Sequence, residues 1–103
     1  MKYQLTESAR NDIREITRHI RTVQKSPQNA RLVATRLTAH LRKLAKVPGL
    51  GHAHVEIDDP AVRVSHVTGL MVVYDVTTKP LLVLRVLHRA RDLSRIAIRE
   101  QSD

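Results

Sequence analysis

The first half of the chain repeats its apolar residues on a helical period, and the second half on a strand period. Tyr3 and Leu5 flank polar Gln4, which predicts a short opening strand. Thr6 is well placed as the N-cap of a helix starting at the next residue. Ala9, Ile13, Ile16, Ile20 and Val23 then recur at spacings of 4, 3, 4 and 3, the buried stripe of an amphipathic helix. Arg10, Arg14, Arg18, Arg21 and Lys25 recur on the same segment at 4, 4, 3 and 4. At about 100° per residue this basic stripe lies roughly 140° around from the apolar one, so it forms an exposed face. Asp12 and Glu15 relieve it only at its edges. Ser26-Pro27 is a break and restart, with Ser as N-cap and Pro as first helical residue. Ala30, Val33, Ala34, Leu37, Leu41 and Leu44 line the second stripe, flanked by Leu32 and Ala45. This helix ends near Lys46, before Val47-Pro48-Gly49. The short link predicts an antiparallel helical hairpin.

Beyond Gly49 turn signals dominate: Gly51, Asp58-Asp59-Pro60, Thr68-Gly69 and Thr77-Thr78-Lys79-Pro80. Between them His54 to Ile57, Val62 to Val67, Leu70 to Val76 and Leu81 to Leu87 have strand length and strand composition. LMVVYDV and LLVLRVL are the most continuously apolar and are expected at the centre of the sheet, with the helices on one face. Short turns between successive strands imply an antiparallel meander. Leu93, Ile96 and Ala97 would support one or two turns of terminal helix, and Gln101 to Asp103 should fray. The expected fold is therefore α+β: an N-terminal strand, a helical hairpin packed on an antiparallel sheet of three or four strands, and a short helical tail.

The 103 residues suit one compact domain, 1–103. The aromatics are Tyr3 and Tyr74 alone, so the core is aliphatic. The absence of Cys removes a disulfide framework, thiolate metal sites and a cysteine nucleophile. No apolar run reaches the roughly 18 residues of a membrane span. The N-terminus lacks the apolar stretch of a signal peptide, so a cytoplasmic protein with no membrane partner is expected. A net charge of +8, from 18 Lys+Arg against 10 Asp+Glu, favours polyanionic partners. His52 and His54 would share a side of a strand, as a metal pair does, but no third ligand is evident, and no metal or cofactor is expected. His19, His40 and His66 are surface or boundary residues.

Several motifs resemble one family. Tyr3-x-Leu5-Thr6-x-x-Ala9-x-x-Asp12-Ile13-x-Glu15-Ile16 is similar to the opening of ParE-type toxins. Leu44-Ala45-x-x-Pro48-x-x-Gly51 resembles the segment that closes their second helix. Arg63 stands where they commonly carry an Arg before a strand, and Val73-Tyr74 resembles their aliphatic–Tyr pair. Arg85-Val86-Leu87-His88-x-x-Arg91-Asp92 resembles their final-strand motif. The chain is thus identified as a member of the ParE/RelE superfamily, closer to the ParE branch. The resemblance implies a type II toxin that inhibits DNA gyrase by trapping its cleaved complex with DNA. It also implies neutralisation by a cognate antitoxin whose acidic, amphipathic C-terminal part folds on contact. A toxin–antitoxin hetero-oligomer is expected, and homodimerisation through the first helix or a sheet edge is open.

The superfamily's other activity is ribosome-dependent mRNA cleavage, which needs a base, an acid and cationic support for the phosphorane. RelE-type nucleases resemble this scheme with basic residues and a late Tyr. Here no Tyr follows Tyr74, and aromatics for stacking bases are nearly absent. If the chain were a ribonuclease, Arg63, Arg85, His88 and Arg91 would form the site. Otherwise His88 marks a strand end. Without any family, the chain reads as a small basic nucleic-acid-binding module. For target contact the candidates are Arg85, Arg89, Arg91, Arg95 and Arg99. For antitoxin contact they are Arg10, Arg14, Arg18, Arg21 and Tyr74, against the plainer readings of a solvated face and a core tyrosine.

Overall fold

A computed structural model describes residues 2–99, so the fraying expected of Gln101 to Asp103 lies outside the described residues. The first strand, β1 (Tyr3–Leu5), leads directly into helix α1 (Glu7–Thr22). The Thr6 hydroxyl makes that junction: it accepts from the Ala9 amide at 3.0 Å and donates to the Leu84 carbonyl at 2.8 Å. One side chain therefore caps the helix and ties it to a distant strand. α1 closes with a hydrogen bond from the Ser26 amide to the Ile20 carbonyl, and Lys25 takes the left-handed position at φ 52°. Glycine usually fills that position, because a Cβ is disfavoured there. Ser26 then caps α2 (Pro27–Lys46), with Pro27 in the first turn. Among the described residues no helix is long and apolar enough to cross a membrane.

Strands β2 (Val62–Val67), β3 (Leu70–Asp75) and β4 (Leu81–His88) form the expected antiparallel meander. β1 joins as a fourth strand, and the order is β1-β4-β3-β2. It runs parallel to β4, pairing Tyr3 with Leu81 and Leu5 with Val83, so the sheet is mixed. The helices between β1 and the meander provide the crossover that a parallel pair requires. The β2–β3 turn holds Thr68 (φ 44°) and Gly69 (φ 80°), the two positive angles of a tight two-residue hairpin.

Each face of the sheet buries its own apolar cluster. On the helix side Leu37, Leu41 and Leu44 of α2 pack with Val72, Tyr74 and Val83 of the sheet. On the other face Val64, Met71, Val73, Leu84 and Leu87 are covered by Ile57, Leu93, Ile96 and Ile98. Sequence periodicity supplies the first cover but not the second, which is irregular chain. A bulge in β4 serves both faces. Val73 pairs with Arg85 and Tyr74 with Val83, so Leu84 and Arg85 stand together opposite one residue.

Two expected elements are corrected. His54 to Ile57 is not a strand: the one bridge nearby pairs His52, before the segment, with Val64, and Ile57 meets the sheet through its side chain alone. The terminal helix is a single 3-10 turn, Leu93–Arg95, capped by the Asp92 carboxylate. Its apolar residues lie flat on the sheet instead of forming a helical stripe.

Candidate functional site

β1 covers β4 only as far as Val83, and α1 completes the edge with side chains. Asp12 accepts from Arg85 Nε at 2.7 Å, from a terminal nitrogen of Arg85 at 2.9 Å, and from the Val86 amide at 3.0 Å. The other Arg85 terminal nitrogen reaches the Ala97 carbonyl at 2.9 Å. Arg85 thus joins α1, the edge of β4 and the C-terminal tail. The hydrogen bonds that Arg85 donates to Asp12 raise the guanidinium's pKa and keep it charged. Asp12 does not stand at the rim of the basic stripe as the sequence suggests. It lies three residues after buried Ala9 and four before Ile16, on the inward side of the helix, and that spacing was the available signal.

Arg99 is likewise tied down, to Asp59 at 3.0 Å and Asp75 at 2.6 Å. Burial acts to raise the Asp75 carboxyl, but hydrogen bonds from Thr77 and Arg99 outweigh it and the net shift is downward. The Arg99 hydrogen bond also lowers Asp59. Asp75 ends an apolar strand and gives no sign in the sequence of an ion pair across 24 residues. The arginines from 85 to 99 therefore divide: Arg85 and Arg99 are committed to the fold. Arg89, Arg91 and Arg95 are exposed, and their side chains make no hydrogen bond or ion pair with the described residues.

Arg91, in this exposed group, lines a groove of about 450 Å³ between α1, α2, the β2–β3 turn and the end of β4. Its floor is apolar (Ile16, Ile20, Val33, Val86), and Glu15, His19, His88 and Arg91 line it as well. Of the four residues a ribonuclease would use, His88 and Arg91 meet here. Arg85 is held by Asp12, while Arg63 lies two strands away on β2 and donates to the Gly51 carbonyl at 3.2 Å. The four do not converge.

Tyr74 is corrected as a contact residue, since it is 0% exposed. Its hydroxyl donates to the Pro48 carbonyl at 2.6 Å and accepts from the Gly51 amide at 2.9 Å. Burial raises its pKa, and it remains a neutral donor. A Cβ on Gly51 would collide with this hydroxyl and lie 2.7 Å from the Val64 carbonyl. The Pro48-x-x-Gly51 motif and Tyr74 are therefore one structural unit, separated in sequence and joined by three groups.

The α1 stripe is exposed. Arg14 bonds Asn11 at 3.1 Å and Arg18 stands 3.7 Å from Glu15, while the side chains of Arg10 and Arg21 make no bond among the described residues. His52 stacks on His66 with ring centroids 5.5 Å apart, a pairing across the loop and not along a strand. Among the described residues no three His, Asp or Glu side chains are grouped to hold a metal ion. His40 and Ser65 share a hydrogen bond of 2.7 Å, and burial, with Lys43 nearby, lowers the His40 pKa.

Residues 3–93 match the family described as "ParE toxin of type II toxin-antitoxin system, parDE". No curated protein matches the chain. The fold is similar to a solved structure of the "Chromosomal ParDE TA system from P. aeruginosa", with a TM-score of 0.70 and 21% identity over 85% of this chain and 95% of that one. The match spans both helices, the whole sheet and the β4 motif that carries Arg85 and His88, and so the chain belongs to the family of ParE toxins of type II toxin–antitoxin systems.

Proposed function

We propose that the protein is a gyrase-directed toxin that acts by binding, and that a cognate antitoxin with an acidic, amphipathic segment neutralises it. The observation that carries the reading is that Arg89, Arg91 and Arg95 are all exposed and that Arg91 lines a groove with an apolar floor. Such an arrangement suits contact with an acidic protein surface or DNA, and the apolar floor suits the buried stripe of an antitoxin segment. Hydrolysis is less well served, since cleavage needs an acid and a base aimed at one phosphate and Arg63 is remote from His88. The resemblance to ParE-type toxins supports gyrase as the target and a cytoplasmic site of action.

The test is supercoiling by purified gyrase with and without the protein. Inhibition with accumulation of linear DNA is expected, and the triple substitution Arg89→Gln, Arg91→Gln, Arg95→Gln should reduce it at least tenfold. Fully active gyrase in the presence of folded protein would overturn the reading.

A further inference from the structure

Helix α2 is more basic than α1 and has nothing to balance it. It carries Arg31, Arg36, Arg42, Lys43 and Lys46, and no Asp or Glu anywhere in its 20 residues. All five cations are exposed, and none enters an ion pair among the described residues. α1 differs, since Glu7, Asp12 and Glu15 share the helix with its arginines. At about 100° per residue the five cations of α2 fall within an arc of roughly 140°, centred about 180° from the buried stripe of Ala30, Leu37, Leu41 and Leu44. The row from Arg31 to Lys46 is about 22 Å long at 1.5 Å per residue.

We propose that the outer face of α2 binds the phosphate backbone of double-stranded DNA. Phosphates of one strand rise by about 3.4 Å per nucleotide along the duplex axis, so a row about 22 Å long is long enough to meet several of them. Thr35 and Ala39, both small and exposed, lie between the cations and let the helix approach closely. A helix is about 10–12 Å across, which fits the B-form major groove of about 12 Å. The narrow major groove of an RNA duplex does not admit it. Single strands are disfavoured because the face has no aromatic on which bases could stack. An acidic protein partner is disfavoured because the face offers little to hold an apolar anchor: Leu32 is its one exposed large apolar side chain, and the hollow beside Arg36 and Lys43 is wide open to solvent. This surface is separate from Arg89, Arg91 and Arg95, so DNA binding here stands whether or not gyrase is the target.

The experiment is fluorescence anisotropy of a labelled duplex over a salt series, using the full chain. One variant carries Arg31→Gln, Arg42→Gln and Lys46→Gln. The control carries Arg10→Gln, Arg14→Gln and Arg21→Gln, the same loss of charge on α1. All six sites are exposed, and a melting curve verifies folding. The α2 variant should lower the slope of log affinity against log salt by about 2.7, at about 0.9 per phosphate contact, and the α1 control by less than half of that. Equal changes in both variants would reduce the effect to net charge and overturn the proposal. So would absence of duplex binding at low salt, tighter binding of single-stranded DNA or duplex RNA, or displacement of DNA by polyglutamate at equal charge concentration.

Discussion

Arg85 and Arg99 come from the same 15-residue stretch as Arg89, Arg91 and Arg95, yet the two groups live in different chemistry. Arg85 stands 19% exposed between an aspartate, an amide-bearing strand edge and the tail. Arg89, Arg91 and Arg95 stand in water with no partner among the described residues. The difference lies in where an aspartate is supplied from another element, Asp12 from α1 and Asp75 from the end of β3. Residue type and spacing reveal a basic region. The partners decide which arginines are left to bind something else.

The largest test of this division is Asp12→Ala. It leaves the Arg85 guanidinium half-buried and the Val86 amide without an acceptor, so a loss of about 3 kcal/mol in urea unfolding is expected. A loss under about 1 kcal/mol would mean that the pair does not hold the edge. Tyr74→Phe extends the comparison to a neutral group. Removing the hydroxyl unpairs the Gly51 amide and the Pro48 carbonyl, with an expected cost of about 2 kcal/mol by thermal unfolding.

Arg99→Gln comes next. The guanidinium is 42% exposed and solvent screens it, so about 1 kcal/mol is expected, through its contact with Asp75. This contribution depends on pH in a fixed direction. Asp75 titrates lower in the folded state than its ordinary value of 3.8, so the stabilisation is present above that value. It is lost as pH falls through the folded pKa. Wild type and Arg99→Gln should therefore converge in stability once the pH is below the folded pKa of Asp75. A constant gap through that pH would separate Arg99 from Asp75. The smallest effect belongs to the exposed group. Arg89→Gln, Arg91→Gln and Arg95→Gln together should change stability by less than about 0.5 kcal/mol, while reducing any effect on gyrase. A larger destabilisation would erase the division between the two groups.

Both helices, their caps and the three meander strands are legible in the sequence, because each is written in local periodicity and local caps. Three features are not. β1 pairs in parallel with β4 across some 78 residues, and three residues of alternation say nothing about direction. The tail covers a sheet face with Leu93, Ile96 and Ile98 in irregular chain, where no period exists to read. Asp12 and Asp75 look like ordinary polar positions because their partners are 73 and 24 residues away. For the candidate site, the basic region is legible and its division is not. The α2 cations escape a reading that looks for regular i, i+4 stripes, since their spacing is 5, 6, 1 and 3.

The bulge in β4 has a consequence for changes in chain length. A residue inserted into a strand ordinarily turns every later side chain to the opposite face. Here Leu84 and Arg85 share one side, so Val86 still points to the helices and Leu87 to the tail. Deleting Arg85 would leave Val83, Leu84, Val86 and Leu87 in unbroken alternation. β4 thus holds one position at which the chain can shorten without inverting the sheet, and that position carries the arginine that binds three elements together.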